Sequence, residues 1–148
     1  VDVTERRKKE QQVLKLSESL SDFQNAIYRS SIVSRADVHG IITMVNQNFV
    51  NISGYSEKEL VGNNHRIINS GYHPKSFWVE MWKTIASGKI WREDVKNRAK
   101  DGRYYWVDTF IMPFIDEKGR VREFLSIRND ITARKDAEES LRHNRKLL

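Results

Sequence analysis

The sequence predicts an α+β domain with one antiparallel sheet, held between a helix at each end. Three observations predict it. All seven glycines fall between Gly40 and Gly119, which confines turn chemistry to the centre of the chain and leaves glycine-free ends. Apolar residues recur at helical spacing up to Ile85, then switch to period two from Trp91 onward. Two tight-turn signals, Asp101-Gly102 and Asp116-Glu117-Lys118-Gly119, then cut the remaining residues into three strands.

Taken in order, residues 32–37 and 41–46 read as two short strands joined through Val38-His39-Gly40. Short helices follow. Ser56-Glu57-Lys58-Glu59 is a capping box, in which the Ser56 hydroxyl accepts from the Glu59 amide and the Glu59 carboxylate reaches back. Pro74 suits a first helical turn, Phe77, Trp78, Met81, Trp82 and Ile85 follow at helical spacing, and Gly88 supplies a stop. From Trp91 the charged residues Arg92, Asp94, Lys96 and Arg98 alternate with Trp91, Glu93, Val95 and Asn97, and the second set is expected to face inward. An aromatic strand over residues 103–115 and a last strand over 121–131 complete a meander, giving five strands in all.

The two ends carry a near-repeat, Asp2-Val3-Thr4-Glu5-Arg6 and Asp130-Ile131-Thr132-Ala133-Arg134, 128 residues apart and each followed by helix-forming sequence. The expected organisation is therefore the tail of a preceding module (residues 1–6), an amphipathic linker helix (7–30), a globular domain (31–132) and the start of an exit helix (133–148). In the linker, Val13, Leu16, Leu20, Phe23 and Ile27 step by threes and fours, which makes one apolar stripe. A parallel homodimer seam is the reading adopted; packing on the chain's own domain is the alternative. Ala137, Leu141, Asn144 and Leu148 form a weaker stripe in the exit helix.

Composition narrows the function. The chain has 148 residues and a net charge of +6, distributed as +1 over residues 1–30, +3 over 31–132 and +2 over 133–148, with acids interleaved among the bases throughout. No basic block exists, so nucleic-acid binding is not expected. Absence of cysteine removes disulfides and thiolate chemistry and fits a reducing compartment, so a cytoplasmic location is expected. No apolar run approaches the ~20 residues of a membrane span. His39, His65, His73 and His143 show no metal-ligand spacing, and neither a phosphate-cradling glycine loop nor a Ser-His-Asp set is present, so no catalysis is expected within the chain.

Over about residues 31–132 the motifs resemble a PAS domain: Gly40 before a strand, Asn46 at a helix start, Ser53-Gly54-Tyr55 followed by Glu59-Leu60 and Gly62, Asn97-Arg98 before Lys100-Asp101-Gly102, Pro113 before a turn, and the closing Asp130-Ile131-Thr132. The resemblance implies a five-stranded antiparallel sheet curled against short helices, with a cleft for a flavin, a haem, a small metabolite or nothing. It also implies a sensory and dimerisation module. Its output domain, a histidine kinase, diguanylate cyclase or chemoreceptor, would lie elsewhere in a longer signal-transduction protein.

Trp91 and Asn97-Arg98 after a tryptophan-rich helix are similar to the flavin-binding PAS domains of bacterial redox and aerotaxis sensors. That similarity implies FAD, with the Trp91 indole flanking the ring system and the Asn97 carboxamide reading its pyrimidine edge. Glu93 departs from that subfamily's glycine and is expected to crowd the ligand. The stretch from Gly62 to Asn69 resembles light-sensing LOV domains, with Asn64 among the flavin contacts and His65 where their reactive cysteine would stand. Val107 and Arg128 replace two further amide side chains of that set. Flavin–thiol photochemistry is thereby excluded, while a flavin itself is not; His65 or His73 as an axial haem ligand and an empty cleft are the alternatives. Asp130 and Thr132 are expected to couple the last strand to the exit helix.

Overall fold

The computed structural model describes residues 2–147. It divides into two compact units, residues 1–30 and 31–148, each taken by itself below. The first is a single helix, α1 (Val3–Ser30). It buries no residue, and Val13, Leu16, Leu20 and Phe23 are each more than 60% exposed along one stripe.

The second unit runs β1 (Ile32–Ala36), β2 (Ile42–Val45), α2 (Gln47–Ser53), α3 (Glu57–Leu60), a 3-10 turn (His65–Ile68), α4 (Lys75–Ala86), β3 (Trp91–Arg98), β4 (Tyr104–Ile115), β5 (Val121–Asp130) and α5 (Thr132–Leu147). The five strands form one antiparallel sheet in the order β2-β1-β5-β4-β3. The last strand therefore inserts at the centre, beside the first. Leu148, part of the exit-helix stripe, lies outside the described residues, as does Val1 of the expected preceding-module tail; Leu141 is 55% exposed.

Local chemistry explains the joints. Asn46 accepts from the Phe49 amide at 3.2 Å to cap α2, accepts from the Val33 amide at 3.0 Å, and donates to the Ser31 carbonyl at 2.7 Å. One buried side chain thus ties the second strand, the helix after it and the first strand. Gly54 ends α2 at φ 74°, a left-handed cap that glycine adopts without Cβ strain. The Ser56/Glu59 capping box forms, and Glu59 also pairs with Lys100 at 2.9 Å, joining α3 to the β3–β4 turn. Pro113 sits in β4 beyond Ile111, the last residue of β4 paired with β3, so its missing N–H interrupts no ladder there.

Side chains of the concave face and of the helices make the core, with Phe49, Leu60, Ile42, Ile85, Tyr105 and Val107 all at 2% exposure or less. On β3 the alternation holds with one exception. Trp91, Val95 and Asn97 are buried, whereas Glu93, expected to face inward with them, is exposed. A carboxylate with no cation beside it is costly to desolvate, and β3 is an edge strand from which water is within reach.

The join to α5 is polar. Asp130 accepts from the Thr132 amide at 2.9 Å and its hydroxyl at 2.6 Å, and the same hydroxyl accepts from the Trp106 amide at 2.9 Å. One turn on, Lys135 and Arg134 reach Asp94 of β3 at 2.9 and 3.5 Å. The exit helix is thus pinned to β4 by a cap and to β3 by a clasp of charges.

Because Asn46 serves three partners, Asn46→Ala removes a helix cap and leaves buried strand groups unsatisfied. The expected loss is about 2–3 kcal/mol. Urea unfolding followed by circular dichroism is expected to show a lower midpoint at unchanged slope; an unchanged midpoint would show that water replaces all three bonds.

Candidate functional site

The concave face of the sheet and the helices above it enclose a cavity of about 620 Å³, within the range of about 300–1,000 Å³ common to small-molecule sites. The sheet supplies Ala36, Val95, Asn97, Thr109, Ile111, Phe124, Ser126 and Arg128; α4 supplies Trp78, Met81, Trp82 and Ile85; Asn64, His65 and Ile68 come from the 3-10 segment.

All four residues singled out in the sequence line it. Trp91 is buried, edge-on to Phe77 with ring centres 5.3 Å apart. Asn97, also buried, stands opposite Tyr105 on the paired strand. Asn64 uses its Oδ1 to cap the 3-10 turn, accepting from the Arg66 amide at 2.9 Å. His65 places Nε2 3.1 Å from the Ser34 hydroxyl, which is itself wholly buried, so the tip of the ring is enclosed although the residue keeps some exposure. Glu93 does not line the cavity and cannot crowd a ligand there, which corrects the expectation drawn from its place in the alternation.

The side chain that sequence reasoning undervalued is Arg128. Read as the loss of a LOV amide, it is a buried cation on β5, 5% exposed, donating through Nη2 to Ser34 Oγ at 3.1 Å with its guanidinium 4.9 Å from the centre of the Phe49 ring. Its Nη1 has no partner. Across the cavity, the Trp78 indole N–H is likewise buried and unpartnered. The signal was present: Phe124, Ser126 and Arg128 alternate on β5, and an arginine in an inward register position is worth a question.

These environments shift titrations. Burial, and secondly the Arg128 charge, push the His65 imidazole down to about 3, so it is neutral. Burial brings Arg128 down to about 10 and raises the Tyr105 hydroxyl to about 12. Both histidines considered for haem have an engaged Nε2, His65 facing Ser34 and His73 accepting from the Lys96 amide at 2.9 Å. Among the described residues no group of three or more His, Asp or Glu side chains is gathered as a metal site.

The glycine of the β1–β2 turn shapes the mouth. Gly40 has φ 83°, and a Cβ there would meet the Trp82 indole at 2.8 Å. The absent side chain lets that indole lie over the turn, edge-on to Phe124 at 5.9 Å. His39, Arg66 and Lys75 stand around the same rim.

The family model of the PAS fold matches residues 42–128, more than half of the chain. The chain belongs to the PAS family. It is 36% identical over 103 residues to the aerotaxis receptor of Escherichia coli K12, an alignment covering 70% of this chain and 20% of that protein. With the nitrogen fixation regulatory protein of Klebsiella pneumoniae it shares 32% identity over 119 residues, covering 80% of this chain and 24% of the relative. The chain thus spans about a quarter or less of these curated relatives. Among solved structures, an RNA-binding light-oxygen-voltage receptor superposes with a TM-score of 0.72 at 22% identity over 86% of this chain and 36% of that one. A light-oxygen-voltage domain studied with a flavin analogue gives 0.69 at 20% identity, over 87% and 94%. At such identities the structures attest the PAS fold. This chain is a PAS sensory domain of the kind found in signalling proteins.

A neutral buried His65 makes stability depend on pH with a definite sign. The unfolded imidazole titrates near 6.5 and the folded one near 3, so as pH falls below about 6.5 the unfolded chain takes up a proton that the fold refuses. Stability is expected to hold above that pH and decline below it, at up to about 1.4 kcal/mol for each pKa unit of the difference. Thermal melts between pH 7.5 and 4.5 should fall less steeply for His65→Gln than for the parent chain; equal slopes would show that the imidazole is charged in the fold.

Proposed function

We propose that this PAS domain holds a flavin, FAD, in its cavity, responds to the redox state of that cofactor, and passes the response through α5 to an output domain such as a histidine kinase or diguanylate cyclase in a longer parent protein. One observation carries the reading: the buried side-chain nitrogens that lack a partner among the described residues, Arg128 Nη1 and Trp78 Nε1, both belong to residues that line one cavity. Orphaned buried donors call for acceptors. An isoalloxazine presents carbonyl oxygens and ring nitrogens on a flat apolar body, so the residues present fit it.

In this reading Trp91, Met81 and Ile85 supply apolar wall, the Asn97 carboxamide reads the polar edge, and Asn64 and His65 complete the 3-10 side of the cavity. Arg66 and Lys75 at the rim provide positive charge for phosphates. The bound flavin supplies reversible electron acceptance. Similarity to an aerotaxis receptor and to light-oxygen-voltage domains supports the choice of a flavin, and the absence of cysteine favours redox over thiol-adduct sensing. Of the two histidines considered for haem, His65 and His73, neither has a free Nε2. A change of cofactor charge would reach the exit helix through β3 and β4, whose Asp94 and Trp106 hold Lys135 and Thr132.

The partner proposed is a second copy of the chain, seated along the α1 stripe, whose four exposed apolar side chains recur at heptad spacing. Localisation is proposed as cytoplasmic; no helix among the described residues is long and apolar enough to cross a membrane.

Incubation with FAD followed by gel filtration is expected to leave a yellow protein. Trp91→Ala and Asn97→Ala should each weaken retention about tenfold or more, and Glu93→Gly should leave it unchanged because Glu93 lies outside the cavity. A colourless parent protein would favour a cofactor-free relay, and full retention in both alanine variants would move the site elsewhere. Deleting residues 1–28 is expected to convert a dimer to a monomer in sedimentation at micromolar concentration; a persistent dimer would assign the contact to the second unit.

A further inference from the structure

Arg128 is chemically unusual for its position. It is a buried guanidinium in the middle of the sheet, and among the described residues no carboxylate pairs with it. Four groups surround it. Ser34 of β1 accepts from Nη2, the Phe49 ring of α2 lies 4.9 Å from the guanidinium carbon, His65 of the 3-10 turn approaches the same Ser34 hydroxyl, and Tyr105 of β4 is the titratable group whose field it feels. None of these carries negative charge. A cation so placed leaves an unbalanced charge in a low-dielectric site, together with an N–H that has no partner among the described residues, on a residue that lines the cavity. Such a group is balanced when the ligand itself becomes an anion.

Resting on the flavin reading, we propose that Arg128 is the charge-compensating residue of this site: its guanidinium balances the negative charge a bound flavin acquires on reduction, and so selects the reduced, anionic form over the oxidised one. The step is conserved in atoms and charge. An external reductant delivers two electrons, one proton comes from water, and the oxidised neutral ring becomes a reduced ring carrying one proton more and one net negative charge. Without a nearby cation that anion takes a second proton at mildly acidic pH. Beside Arg128 it stays unprotonated, since Coulomb attraction in a site screened from water favours the charged form.

The neighbours make the measurement clean. His65, held near 3, and Tyr105, near 12, both keep one charge state from about pH 5.5 to about pH 8, as does Arg128 itself near 10. These three groups therefore contribute no proton uptake on reduction across that window, and His39, the other histidine lining the cavity, is replaced by Gln in every protein titrated.

The test is a dithionite titration of the FAD-loaded protein against reference dyes across that window. For a two-electron couple, one proton taken up lowers the midpoint by about 30 mV per pH unit and two protons by about 60 mV. The parent protein is expected to keep the one-proton slope down to the acid end. Arg128→Gln should lower the midpoint at neutral pH by about 30 mV or more, a tenfold loss in preference for reduced over oxidised flavin, and steepen the acid limb to two protons. Arg128→Lys keeps the charge and should keep the slope. A two-proton slope in the parent overturns the proposal without any variant having to fold. So does an unchanged midpoint in FAD-loaded Arg128→Gln, or a lysine variant that behaves like glutamine. A parent protein that binds no FAD overturns the flavin reading and this inference together, whereas the other failures leave the flavin in place.

Discussion

The central constraint on this domain is that its sheet presents a concave polar-apolar face that the protein's own side chains do not fill. Arg128, Ser34 and His65 line one end of it, where a guanidinium, a hydroxyl and a neutral imidazole share a single hydroxyl oxygen as their meeting point. Insertion of β5 between β1 and β4 makes this arrangement possible, because it brings residue 128, near the end of the chain, opposite Ile32 and Thr109. A cation could be placed on an outer strand at little cost. At the centre of the sheet it requires a function or a partner to justify the desolvation.

Much of the fold was legible in the sequence because local chemistry and global arrangement agree. The capping box at Ser56, the cap at Asn46, the helix after Pro74 and the two later turns each follow from residue types at fixed spacing, and the structure has all of them. Trp91, Asn97, Asn64 and His65 were likewise found to share one cavity. The failures have a common cause. Alternation along a strand assigns faces, but it does not say how far from the edge a residue lies, so Glu93 was placed inward although an unpaired carboxylate on an edge strand turns to water. Arg128 was seen only as a missing amide, because a likeness to other domains points to what has been replaced and not to the charge brought in. Trp78 was read as core, which it is, but its unsatisfied indole N–H is a three-dimensional fact.

The comparison with light-oxygen-voltage domains is instructive for what the shared fold does not carry over. In place of the cysteine that the resemblance to light-oxygen-voltage domains leads one to expect, this cavity has His65, held neutral by burial and turned toward Ser34. A neutral imidazole beside a fixed cation can reorient or exchange hydrogen bonds with little change of charge, while a thiol would form or break a covalent bond.

The clasp between Asp94 and the exit helix has a mechanical consequence. Asp94 is one carboxylate on an edge strand, serving two cations of α5, and all three side chains remain within reach of solvent. The contact is therefore sensitive to ionic strength in a way the packed interior is not. Added salt would weaken this hold on the first turn of the helix while the sheet stayed intact. A helix held by screened charges at one end, and by the Asp130–Thr132 cap at the other side of the same turn, is a lever whose stiffness the surrounding electrolyte can set.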